Sequence, residues 1–157
     1  MVGAVLIALL AGCGDSEVRQ PGAVPWTPAA SPSPGPDDWP DRVAADRDSG
    51  ALFAPGFNEL VDSAAPEWAA SLDTAAAQLL GLNGPFDGPV EIYLRQESGP
   101  VVTATLTRLG DDSVHAIRYR VVFTRGDDGR YRFVSGERTM SCQSGRGHRT
   151  FKTDRCS

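Results

Sequence analysis

The stretch Ile117-Arg118-Tyr119-Arg120-Val121-Val122-Phe123-Thr124, then Gly126-Asp127-Asp128-Gly129, then Tyr131-Arg132-Phe133-Val134-Ser135, decides the fold. Apolar and polar residues alternate on both sides of a Gly/Asp turn, which is the period of a half-buried antiparallel hairpin. Register follows from keeping the apolar set together. Phe123 opposite Tyr131 and Val121 opposite Phe133 put them on one face, whereas a one-residue slip would mix the two faces. The same pairing sends Arg118, Arg120, Arg130 and Arg132 to the other face as an arginine stripe.

Working outward, the pattern repeats upstream. Val90, Ile92 and Leu94 alternate with Glu91, Tyr93 and Arg95, and Ser98-Gly99-Pro100 turns the chain. Val102, Ala104 and Leu106 then face the core opposite Thr103, Thr105 and Thr107, and Gly110-Asp111-Asp112-Ser113 supplies the next turn. Before Pro89 the period is helical. Trp68, Leu72, Ala75, Ala76 and Leu79 fall on one face, and Gly81 is the stop. Asn58 is read as the N-cap of a short helix over Glu59–Ala64. The expected class is α+β: helix first, then a curved antiparallel four-strand meander, closed by a C-terminal disulfide loop. That order resembles the cystatin-like and NTF2-like rolls, in which a curved sheet wraps a helix.

Charge is unevenly distributed. Residues 1–88 hold 12 acids and 3 bases, whereas residues 89–157 hold 8 acids and 12 bases, 11 of them arginine. The net charge of −5 argues against nucleic acid as a partner despite the arginines. The scarcity of lysine beside Arg, Ala and Gly resembles the product of a high-GC, actinobacterial-type gene.

Upstream of the domain, residues 20–40 hold seven of the 12 prolines, and such a stretch favours polyproline II or disorder. It reads as a Pro/Asp-rich tether. Its 21 residues reach roughly 65 Å if fully extended at about 3.1 Å each. Trp26 and Trp39 within it are candidates to dock on the domain.

The apolar run Val2–Leu10 ends in Leu10-Ala11-Gly12-Cys13. This resembles the lipobox of bacterial lipoproteins, although no Lys or Arg precedes the run. The run is too short for a spanning helix, which needs roughly 20 residues, but it suits a signal segment. The resemblance implies cleavage before Cys13, lipid (palmitate) on Cys13, and a cell-membrane location on the extracytoplasmic face. It divides the chain into a signal peptide over 1–12, an acylated tether over 13–50 and a domain over 51–157. Three cysteines would leave one unpaired in an exported protein; with Cys13 lipidated, Cys142 and Cys156 remain to bridge each other.

The C-terminal outline Cys142…Arg146-Gly147-His148…Phe151…Cys156 is similar to the ends of some uncharacterised exported actinobacterial proteins, and it brings no known activity. Arg146, His148 and Arg149 there form a cationic loop suited to phosphate or carboxylate, or else a solvated lap over the core edge. Cys142, His148 and Cys156 are one ligand short of a structural zinc site, so no metal is expected, and no cofactor motif is present. The Asp pairs sit in turns, where aspartate caps its own backbone. No nucleophile stands in a recognisable catalytic setting. The expected function is therefore a non-enzymatic envelope lipoprotein, anchored to the membrane by lipid and binding an envelope protein or an anionic envelope component. The alternative is an exported NTF2-like hydrolase or transferase with a polar pocket near His148.

Overall fold

The structure, a computed structural model, describes residues 22–27 and 43–157. Cys13, Trp39 and all the tether prolines except Pro25 lie outside the described residues. The elements are β1 (Val24–Pro25), β2 (Ala44–Ala45), β3 (Leu52–Phe53), α1 (Phe57–Ala64), a 3-10 turn (Glu67–Ala70), α2 (Leu72–Leu80), β4 (Glu91–Gln96), β5 (Val101–Thr107), β6 (Val114–Arg125) and β7 (Tyr131–Cys142). The class is α+β, as the alternating and helical periods require.

The sheet departs from a four-strand meander. β4 to β7 do follow one another antiparallel, but β1 adds a fifth strand outside β4, in the order β1-β4-β5-β6-β7. This strand comes from the stretch read as tether. Its proline is tolerated for a geometric reason. The Trp26 N–H donates to Ile92 O at 2.7 Å, so alternation along the strand turns the Pro25 nitrogen away from β4. Trp26 packs against the core cluster, and Val43, Ala45 and Leu52 join it from β2, β3 and the segment leading into them.

The β6–β7 register also differs from expectation. Phe123 pairs with Phe133 and Arg125 with Tyr131, two residues away from the expected pairing. Turn length is the cause. The Gly126 N–H donates to Arg130 O at 2.9 Å, closing a three-residue loop whose last member, Gly129, has φ 79. A two-residue shift preserves the faces, so the apolar set still lies together. Beyond Val122 a bulge shifts the pairing again, and Val121 meets Gly136 rather than Phe133. β7 runs on to Cys142, seven residues past Ser135.

The expected helix from Glu67 is divided. Ser71 is extended, at φ −116 and ψ 135, and it separates the 3-10 turn from α2. The Thr74 hydroxyl donates to Trp68 O across this break. Gly81 caps α2 in the left-handed region, as the sequence indicates, and its N–H reaches back to the carbonyls of Ala77 and Gln78. Leu72, Ala75, Ala76, Ala77, Leu79 and Leu80 are all buried. They join Ile92, Leu94, Val102, Ala104, Leu106, Val121 and Phe123 of the sheet in one cluster, completed by Phe57 and Val61 of α1. The alanines let the helix approach the sheet closely. Phe57, Phe123 and Leu79 are the largest fully buried side chains, and burial of each contributes roughly 1.5–3 kcal/mol.

Asn58 does not cap α1, whose N-cap is Gly56. Its side chain instead meets the backbone of β7: Nδ2 donates to Phe133 O at 2.9 Å, and Oδ1 accepts the Phe133 N–H at 2.8 Å. Farther along the same edge, the Arg138 N–H donates to Gly50 O, Met140 exchanges two bonds with Lys152, and the Cys142 N–H donates to His148 O. The longest exposed strand edge is thus covered piece by piece, which removes a template for intermolecular pairing.

Candidate functional site

With the helices on one face of the sheet, the polar positions of β4, β5, β6 and β7 share the opposite face. The register lines them up in two rows. Arg95, Thr103, Arg120 and Glu137 are successive cross-strand partners, and beside them run Tyr93, Thr105, Arg118 and Thr139. Thr103 and Thr105 are each only 3% exposed although they lie on the face away from the helices. Longer side chains on the flanking strands therefore cover them.

This arginine cluster differs from the stripe inferred from the hairpin alone. Arg118 and Arg120 belong to it, and Arg95 joins them from β4. Arg130 and Arg132 are occupied elsewhere. The Arg132 guanidinium sits between Asp62 of α1, with Nη2–Oδ1 at 2.6 Å, and Asp128 of the turn, with Nη1–Oδ1 at 3.0 Å. Arg130 Nη1 lies 3.5 Å from Asp128 Oδ2. The bonds from Arg132 and from the Arg130 N–H hold the Asp128 carboxyl far below the usual carboxylate range, and the two aspartates hold Arg132 upward. Arg132 braces the turn against α1, and Arg130 is tied to the turn itself.

Within the cluster each arginine has a distinct setting. The Arg118 guanidinium lies 3.6 Å from the centre of the Phe151 ring, a cation–π stack. Burial first, and then nearby Arg95, lower its pKa, though a guanidinium so placed stays cationic. Arg120 Nε donates to Glu97 Oε2 at 3.2 Å. Glu97 is held down chiefly by the hydroxyl hydrogen bond from Thr103, with Arg120 and Arg95 adding to the effect. Arg95 makes no ion pair with any of the described residues. Partly desolvated guanidinium groups with N–H forks are suited to phosphate or carboxylate oxygens.

The C-terminal loop adjoins this face. Cys142 and Cys156 form the expected disulfide, with a Cα–Cα distance of 5.4 Å. Lys152 pairs with Met140 at the β7 edge, and Phe151 reaches Arg118. Arg149 is exposed, and Arg146 makes a 3.7 Å contact with Asp112 in which both side chains face solvent. The Phe151–Arg118 stack thus ties the loop that carries Arg146 and Arg149 to the sheet.

His148 is differently placed. Nδ1 lies 2.8 Å from Thr150 O and Nε2 3.0 Å from Asp154 O. The imidazole ties the loop together through these two backbone carbonyls. Cys142, His148 and Cys156 have their ligand atoms within 4.8 Å of one another, but the two sulfurs are bonded to each other and offer no thiolate. The acidic turns behave as turn caps. Asp111 Oδ1 accepts the N–H groups of Ser113 at 2.7 Å and Val114 at 2.9 Å.

Comparison with family models, with curated proteins and with solved structures finds no match. Among the described residues no helix is long and apolar enough to cross a membrane.

Arg95, Glu97 and the Phe151–Arg118 stack escaped the sequence reading. Arg95 was legible as an outward position of β4, but its neighbourhood depends on two inter-strand registers. The stack depends on where a disulfide brings a loop.

Proposed function

We propose that this chain is a lipid-anchored envelope protein whose domain works on the extracytoplasmic face as a non-enzymatic binding module for a phosphate- or carboxylate-bearing component. The observation that carries this reading is the gathering of Arg95, Arg118 and Arg120 on the helix-free face of the sheet, beside a disulfide-stapled loop that brings Arg146 and Arg149. The anchor is supported by the Leu10-Ala11-Gly12-Cys13 resemblance and by the pairing of Cys142 with Cys156, which leaves Cys13 as the one cysteine for lipid. A cystatin-like or NTF2-like roll is the finer fold we favour, since the helices precede four consecutive antiparallel strands and pack on one face. The hydrolase or transferase reading draws no support from His148. To act as a base there it would have to give up a contact with a backbone carbonyl that holds the loop.

Binding of the full chain bearing Cys13→Ser, which no acyl group anchors, to cell-envelope fractions tests the proposal. The triple reversal R95E/R118E/R120E is expected to abolish retention, whereas R130E/R132E, altering arginines already braced by Asp62 and Asp128, leaves it within about two-fold. Raising salt to about 0.5 M shortens the Debye length to a few ångströms and is expected to weaken retention steeply. Retention that survives both the triple reversal and the salt would contradict electrostatic recognition at this face.

A further inference from the structure

We infer that the partner of the arginine face is the anionic headgroup layer of the membrane to which the chain is itself anchored. The inference rests on the lipid-anchor reading above and adds to it where the tether meets the fold. Val24 pairs with Leu94 and Pro25 with Tyr93, so in this antiparallel pairing the chain enters β1 from the side of Arg95. Arg95 in turn pairs with Thr103, and Thr103 with Arg120. The point of attachment and the first row of the arginine face are therefore adjacent.

The docking of β1 also shortens the leash. Ten residues separate Cys13 from Val24. Fully extended, the eleven steps reach about 36–40 Å, and as a flexible coil their r.m.s. span is about 17–20 Å. A domain of this size is roughly 30–35 Å across. The remaining proline-rich residues lie between two docked points, β1 and Val43, and add nothing to the distance from the bilayer. An anchor this short, attached beside Arg95, favours the adjoining face toward the membrane and raises the effective concentration of headgroups at it.

The distribution of charge selects the kind of partner. Arg120 is already offset by Glu97, and Glu137 completes the same row, so a single small anion would meet acids as well as bases. Arg95 on β4, Arg118 on β6 and exposed Arg149 on the stapled loop stand on separate elements. A surface carrying many separate phosphates suits cations spread over separate elements better than one small anion does, each contact with a modest gain. Salt would screen such contacts, as it does for basic segments on anionic membranes.

The test uses the membrane-extracted full chain reconstituted into vesicles of phosphatidylcholine alone or with about 30% phosphatidylglycerol. The sample is treated with a guanidinium-directed dicarbonyl, and labelling at each arginine is read by mass spectrometry. Modification of Arg95 and Arg149 is expected to fall about five-fold on the anionic vesicles, in line with the gain per basic residue near such a surface. The effect is expected to vanish in high salt and to leave Arg125 unchanged. Equal labelling on both vesicles, or equal protection of Arg125, overturns the headgroup contact. Intact mass of the same sample separates the two failures. A chain without acyl groups overturns the anchor and this inference together, whereas an acylated chain with unprotected arginines overturns the inference alone.

Discussion

Replacement of Asn58 discriminates between two roles that predict opposite signs. As the residue following Phe57 at the start of α1, Asn58 could be supposed to serve the helix. In that setting an aspartate is favourable, because a negative charge in the first turn interacts well with the helix dipole, typically by about 0.3–1 kcal/mol. The structure assigns Asn58 to the β7 edge, where it donates to Phe133 O at 2.9 Å and accepts from the Phe133 N–H at 2.8 Å. Asn58→Ala removes both bonds and leaves two part-buried backbone groups unpaired. At roughly 1 kcal/mol for each bond the cost is about 2 kcal/mol, and more if water does not reach the edge. For a domain of about 115 residues that lowers Tm by about 8 °C. Asn58→Asp retains the acceptor but places a carboxylate oxygen against the Phe133 carbonyl, so its cost is expected to equal or exceed that of alanine. Thermal and urea unfolding at neutral pH measure both variants. If Asn58→Asp proved as stable as the parent protein, or more so, the edge-capping argument would be refuted.

Three further outcomes follow from the same geometry. Reduction of Cys142–Cys156 opens a loop of about 15 residues and is expected to lower stability by about 3 kcal/mol in the chain-entropy picture, measured by denaturant unfolding with and without reductant. Phe151→Ala removes the ring beneath Arg118; loss of the stack is expected to speed amide exchange in the 143–157 loop while the β4–β5 hairpin stays unchanged, and uniform acceleration across the sheet would contradict a local role. The Asp128 carboxyl is lowered in the folded state, so its contribution is complete above the unfolded value of 3.8 and is lost as pH falls below that value toward the folded one. Asp128→Asn is accordingly expected to flatten the fall in Tm between pH 5 and pH 2.5, and an unchanged slope would show that the turn carboxylate is not linked to folding.

The sequence made the fold class legible because two periods dominate it. The alternation in Ile92–Leu94, Val102–Leu106 and Val121–Phe123 and the helical spacing from Leu72 to Leu79 each specify a buried face, and both faces lie in one cluster. What escaped depends on contacts distant in sequence. Val24-Pro25 carries no alternation of its own and becomes a strand only because β4 offers an edge. Gly136, a residue that weakens a strand by itself, lies inside β7. A Cβ there would stand 2.8 Å from Leu52 Cδ1 and 2.9 Å from Arg120 O, so the glycine admits the close passage of β3 rather than stopping the strand. The candidate site was half legible for the same reason. Arg118 and Arg120 follow from parity alone, but the capture of Arg132 by Asp62 of α1 is a contact seventy residues apart in sequence. The register of β4 on β5 decides that Arg95 joins the cluster.

The central claim, a lipid-anchored domain held outside the membrane, is tested most directly by the intact mass of the membrane-extracted protein before and after reduction. The expected species is a chain beginning at Cys13, carrying the added mass of acyl chains on that residue and gaining two hydrogens on reduction of Cys142–Cys156. A chain that retains residues 1–12, or one whose Cys13 carries no acyl mass, would contradict it.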